Sequence, residues 1–129
     1  MEFFEQVFTT NGRLNRLRYL KYQLLLTLVS ALIGFVLGFV GGFLSGDPDG
    51  VLVIVPTGIW SIAASIGGIM LSIRRLHDLN KSGWFLLLGL VPLVNVIFIL
   101  YMWLAPGTVG VNQYGADPLS EDGLNNALD

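Results

Sequence analysis

Cysteine is absent from this 129-residue chain, which removes disulfide frameworks and thiolate chemistry. Charge is scarce. Asp, Glu, Lys and Arg make up 12% of the residues, against about a quarter in an ordinary soluble domain. Histidine occurs once, so no metal site can be built from paired imidazoles, and neither a metal nor a cofactor is expected. No Lys or Arg follows Lys81. Seven basic residues are too few for a nucleic-acid surface, and they flank apolar runs instead of forming a patch.

What the chain holds is apolar sequence. Hydrophobic residues make up 53% of it, and the mean hydropathy is +0.69. No charged residue occurs from Tyr22 to Gly46, from Gly50 to Ile73, or from Ser82 to Ala116. Each run approaches or exceeds the roughly 20 apolar residues that cross a hydrocarbon core. The length suits one domain. The expected fold is therefore an all-α integral membrane protein. Three transmembrane helices, at about 22–44, 51–73 and 84–104, follow an amphipathic N-terminal helix. Residues 1–118 form a single polytopic domain, and 119–129 an acidic, disordered tail holding three of the nine acids. The first apolar run begins after about twenty residues, with no small-residue cleavage site before it, so the chain is read as uncleaved.

Phe3, Phe4, Val7 and Phe8 fall on one helical face, which suits a short helix in the headgroup region. Thr10 or Asn11 can cap the next helix. Arg13, Arg16, Arg18 and Lys21 then form a basic collar, readable as a topological anchor or as an anionic-lipid site. In the first span Gly34, Gly38 and Gly42 share one face at spacing four, where a second backbone can approach. That face suits either a homodimer or packing against Ala64, Gly68 and Ser72 of the second span. The turn Ser45–Gly50, with two acids and no base, belongs outside the cytoplasm. Trp60 and Asn95 are expected near the bilayer middle. They either pair across the bundle or merely pack, with Asn95 bonded to a carbonyl freed near Pro92.

Between the second and third runs lies the densest polar stretch, Arg74-Arg75-Leu76-His77-Asp78-Leu79-Asn80-Lys81-Ser82-Gly83-Trp84. The second helix should continue to Leu79, pairing Arg74 with Asp78 at i,i+4. Asn80 should end it and Ser82 should cap the next helix. This accounts for the stretch as structure. A functional account has Arg13, Arg16, Arg74, Arg75, His77, Asp78 and Lys81 facing a phosphate-bearing headgroup, or His77 moving protons. Neighbouring helical residues point about 100° apart, so His77 and Asp78 are no dyad by adjacency.

This stretch closely resembles the signature of the family catalogued as domain of unknown function 805, the YhaH-like small bacterial inner-membrane proteins. Phe8-x-x-x-Gly12-Arg13-x-x-Arg16-x-x-Tyr19 resembles that family's N-terminal motif. Gly107-x-x-Gly110-x-Asn112-x-Tyr114-Gly115-x-Asp117-Pro118 resembles its C-terminal one. The resemblance implies a polytopic inner-membrane protein with no established activity, and it brings no catalytic residues. Residues beyond Leu119 lie outside it.

Pro92 should kink the third span, with Tyr101 and Trp103 at its far interface. A third crossing puts the N-terminus and the 74–83 loop in the cytoplasm and the C-terminus outside. A re-entrant hairpin turning at Pro92–Asn95 would instead bring the tail back. The leading functional expectation is a non-enzymatic membrane scaffold or interaction protein contacting anionic phospholipid. The alternatives are a subunit of an oligomeric transporter or channel, and a lipid-headgroup enzyme using His77 and Asp78. Expected partners are the bilayer and either a second copy or another membrane protein.

Overall fold

The computed structural model describes residues 2–10, 12–115 and 117–119. Asn11, one of the expected caps, and nearly all of the acidic tail lie outside them. Four α-helices, α1 (Glu2–Val7), α2 (Arg16–Ser45), α3 (Val51–Asp78) and α4 (Val94–Leu104), are joined in that order, with a 3-10 helix (Gly83–Leu90) before α4. Among the described residues there is no strand, only one isolated bridge between Asn112 and Gly115.

α2 and α3 form an antiparallel hairpin. At about 1.5 Å per residue, α2 is roughly 45 Å long and α3 roughly 42 Å. Both exceed a hydrocarbon core of about 30 Å, and both are apolar enough to cross one. Asn15 starts α2, its side-chain oxygen accepting from the Arg18 amide at 2.8 Å. Gly46 closes it at φ +71°, a conformation that suits glycine. Pro56 sits in the second turn of α3 without breaking it.

The short turn fixes the hairpin register. Tyr19 Oη meets Ser72 Oγ at 3.0 Å, and Gln23 Nε2 donates to the Gly68 carbonyl at 3.3 Å. The Ala64–Gly68–Ser72 face therefore does face α2, but against Tyr19, Gln23 and Leu26. The expected glycine partners lie farther along the hairpin. A β-carbon on Gly34 or Gly38 would meet nothing within 4 Å, and one on Gly42 would touch only Pro48. The close approach is made by Gly41, where a β-carbon would fall 2.6 Å from the Leu52 carbonyl oxygen.

The expected third helix at about 84–104 is not continuous. Residues 91–93 interrupt the segment, with Leu93 at φ +69°. The arms on either side, the 3-10 helix and α4, each reach about 16 Å, half of what crossing requires. Pro92 lacks the amide that would continue the helix. The 3-10 helix folds back on α3, with Gly83 against Ile73. α4 then returns along α2 and α3, burying Phe98 and Met102. The tail motif therefore ends beside the 74–83 stretch and not opposite it. Of the two arrangements expected for Trp60 and Asn95, the bond between them is not made: Trp60 Nε1 has no hydrogen-bond partner among the described residues. Asn95 sits in the first turn of α4, at the hairpin tip.

α1 has six residues and ends just before the break at 9–12. Val7 is buried against Gly67 of α3, and Phe3 packs against the core. The Phe8 ring also reaches Gly67, and Phe4 stacks on it with centroids 6.4 Å apart. Along α2, Phe35, Phe39 and Phe43 form an outward-facing stacked ladder.

Candidate functional site

Because α2 begins and α3 ends at the same end of the hairpin, residues 12–16 and 74–78 meet there. The returning α4 adds residues 105–115. All three polar motifs thus form one buried clasp.

Its centre is Asp78, 2% exposed. Oδ1 accepts from Arg13 Nε at 3.0 Å and lies 2.9 Å from Nη2. Oδ2 accepts from Arg75 Nη1 at 2.7 Å. The sequence-expected partner, Arg74, is not bonded to it. The i,i+3 neighbour Arg75 takes that place, together with an arginine 65 positions away.

Two guanidiniums share one carboxylate, and backbone carbonyls serve their remaining N–H groups. Arg13 Nη1 donates to Gly110 O at 2.7 Å and Gly115 O at 3.2 Å, and Nη2 donates to Thr108 O. Arg75 Nε donates to Met102 O at 2.7 Å, Nη2 to Ala105 O, and Nη1 also reaches Leu14 O at 3.4 Å. Met102 O is one of the free carbonyls at the end of α4, where the helix dipole favours a cation. α4 carries no basic residue in its last turn. Arg75, and Arg16 at 3.1 Å from Leu104 O, supply that charge from other helices.

The end of α3 is served in the same way. Leu14 N donates to Arg74 O at 3.2 Å, Thr108 N to Asp78 O at 2.7 Å, and Asn112 Nδ2 to His77 O at 2.8 Å. Asn80 takes φ +59° just beyond, as expected for the residue that ends the helix. Ser82 precedes the 3-10 helix without making a side-chain cap. The tail is braced by Asp117, whose carboxylate accepts the Gly110 and Leu119 amides, each at 2.9 Å. Those two bonds hold its carboxyl below the ordinary 3.8. Pro118 is buried beside it. Tyr114 N bonds to Asn112 Oδ1 at 2.8 Å, tightening the same loop.

His77 takes a different direction from Asp78. Its ring stacks on Tyr114, with centroids 4.0 Å apart and planes 6° from parallel, and Nδ1 lies 3.3 Å from Gly12 O. A carbonyl only accepts, so Nδ1 is the donor in this contact. The two residues do not form a dyad. Arg74 is separate again, bonded through its guanidinium to Gln6. Lys81 is exposed, its Nζ 5.8 Å from the Phe85 ring centroid. Among the described residues, no three His, Asp or Glu side chains converge for a metal.

The Met102, Ala105 and Thr108 carbonyls were invisible to motif reading, since any residue carries one. The available signal was a helix ending near Leu104 with no cation of its own. Midway along the hairpin, a cavity of about 310 Å³ between α2 and α3 is lined by Gln23, Leu26, Thr27, Ser30, Ala64, Ser65 and Gly68, with no ionisable group among them.

No solved structure matches this chain. Inner membrane protein YhaI of Escherichia coli (strain K12) is 38% identical over 60 residues, covering 46% of this chain and 51% of that protein. Inner membrane protein YhaH of the same strain is 35% identical over 72 residues, covering 56% of this chain and 50% of that protein. The chain thus spans about half the length of the curated relatives it matches. The model of the family described as protein of unknown function (DUF805) matches residues 7–116, which take in Arg13, Arg75 and Asp78. The chain belongs to that family, as its three motifs suggested.

Proposed function

We propose that this is a non-enzymatic inner-membrane scaffold or interaction protein that crosses the bilayer twice. Its clasp faces the cytoplasm, and its outward cations touch anionic lipid. The observation that carries this reading is the saturation of the central charges. Both oxygens of Asp78 and the N–H groups of Arg13 and Arg75 are committed to one another and to backbone carbonyls, leaving no group there to bind or transform a substrate. A buried charge stripped of its partner is costly, so such a network serves geometry. The groups left for lipid are Arg16, Arg18, Lys21 and Lys81, at the outer edge of the same end. Arg13 and Arg75, earlier candidates for that contact, are buried.

Orientation follows from charge. All seven Lys and Arg lie within 13–21 and 74–81, around the start of α2 and the end of α3, and the only charged residues of the turn at 46–50 are acids. Basic ends stay in the cytoplasm. The names of YhaH and YhaI place those relatives in the inner membrane, which supports the same location here.

Paired phosphatase and fluorescent-protein fusions test the threading. A fusion after Asp129 should fluoresce, and one inserted at Gly46 should show phosphatase activity. A phosphatase-active C-terminus would overturn the two-crossing reading. His77→Ala should complement any phenotype of a gene deletion, while Lys21→Glu with Lys81→Glu should not. The reverse pattern would favour headgroup chemistry at His77.

A further inference from the structure

Arg74 is 6% exposed, a buried cation with no ion pair among the described residues. The two ion pairs among the described residues both belong to Asp78 and go to Arg13 and Arg75. What Arg74 has instead is one neutral residue. Nη1 donates to the backbone oxygen of Gln6 at 2.6 Å, and Nη2 donates to the Gln6 side-chain oxygen at 3.2 Å. Its Nε is buried with no hydrogen-bond partner. Phe3 of α1 packs on Tyr22 of α2, ring centroids 6.4 Å apart, and Arg18, one turn earlier on that face, is a like charge that acts on Arg74. Lys21 Nζ stands 5.7 Å from the Tyr22 ring centroid. Arg74 therefore faces further positive charge, where every other buried guanidinium of the clasp shares a carboxylate.

Two oxygens on adjacent guanidinium nitrogens is the arrangement a phosphate presents, and a phosphate brings charge as well. Depth agrees. Arg74 lies roughly 35 Å along α3 from Val51 at about 1.5 Å per residue, beyond a hydrocarbon core of about 30 Å and at headgroup level. The covering element is small. α1 has six residues and is seated through Val7 on Gly67.

We propose that Arg74 and Arg18 form a binding site for a phosphate oxyanion, supplied by the phosphodiester of an anionic lipid, and that Gln6 of α1 fills it as a neutral stand-in which the phosphate displaces. The unpartnered Nε gains its acceptor in the bound state, and α1 swings off or re-seats around the headgroup. This deepens the lipid-contact reading above, and it singles out one site from a diffuse collar.

The test uses the full chain in nanodiscs of phosphatidylcholine with rising phosphatidylglycerol. The thermal midpoint and the lipid retained in native mass spectrometry are both read. The wild type should be stabilised by phosphatidylglycerol. Arg74→Gln should raise the half-saturating fraction about tenfold, the loss of one charge-assisted contact. Arg18→Gln should raise it about threefold. Gln6→Ala should lower it about threefold, because the side-chain oxygen, one of the two competing acceptors, is gone while the backbone oxygen stays. A purely structural Gln6 would weaken folding and leave lipid affinity alone. If Arg74→Gln does not fold, Arg18→Gln and Gln6→Ala decide the matter, and an unchanged half-saturation in both overturns the site. A response lost in Lys81→Gln but kept in those two also overturns it, while the broader lipid-contact reading stands. Inorganic phosphate added to pure phosphatidylcholine discs separates the sources. No effect assigns the site to lipid. The same gain with the same order of variants assigns it to free phosphate. Should phosphatidylglycerol leave the wild type unmoved, the broad reading fails, and the phosphate arm alone then judges Arg74: a gain lost in Arg18→Gln keeps the site, and no gain removes it.

Discussion

Gly107 lies directly on the carboxylate of Asp78. A β-carbon at Gly107 would fall 2.8 Å from Oδ1 and closer still to Oδ2. The carboxylate cannot retreat, because Arg13 and Arg75 hold it from two directions. Gly107→Ala should therefore cost about 2–3 kcal/mol, as overpacking of a rigid site does. Thermal unfolding in detergent checks this, with Gly58→Ala, whose added carbon meets nothing within 4 Å, as the tolerated control.

Removing the shared anion should cost more. Asp78→Asn leaves Arg13 and Arg75 buried beside each other with no compensating charge, a loss of about 3–5 kcal/mol. Arg13→Gln combined with Asp78→Asn should be less harmful than the two single losses added together, since the double change removes a charge of each sign. A double-mutant cycle on unfolding free energy measures that coupling. Strict additivity would mean the pair does not interact.

The glycines of α2 should separate sharply. Gly41→Ala drives a β-carbon into the Leu52 carbonyl at 2.6 Å and should spread the hairpin, costing about 1–3 kcal/mol. Gly34→Ala and Gly38→Ala meet open space within one chain and should be neutral or gain about 0.5–1 kcal/mol from helix propensity. A loss at Gly34 or Gly38, seen only in membranes and accompanied by loss of a crosslinked dimer, would show that a second copy packs there.

Asp117 gives the tail a pH dependence of known sign. Its carboxyl is held below 3.8 by the Gly110 and Leu119 amides. The folded value lies under the unfolded one, so the bracing is complete above 3.8 and fades as pH falls through the folded value. Hydrogen exchange at Gly110 and Leu119 should stay slow from neutral pH down to that range and then accelerate. Asp117→Asn should show the fast behaviour at every pH.

The spans and the polar ends were legible because charge-free runs and basic flanks are local properties of the sequence. The motif residues were legible too, but not their geometry. Pairing Asp78 with Arg74 follows helical spacing, and the structure uses Arg75 and the distant Arg13 instead. Of the two readings of the glycine stripe, packing on the second span is not formed, because hairpin register depends on the length of the turn at 46–50, which places Ser72 against Tyr19 and leaves Gly34 uncovered within one chain. Trp84 to Leu104 has the length of a span, and composition alone does not show that Pro92 divides it. The missed carbonyl ligands carry no side-chain signature at all.

The clasp also has a timetable. Arg13 is made 95 residues before Thr108, whose carbonyl it needs. At about 5–20 residues per second, roughly 5–19 seconds pass before the last piece emerges. Through that interval the hairpin can enter the bilayer, yet Arg13, Arg75 and Asp78 must wait in water or against whatever escorts the nascent chain. The membrane part is thus assembled first and locked last, and a ribosome stalled before residue 108 would leave an inserted but unlatched protein, open at its charged end to any quality-control protease that inspects it.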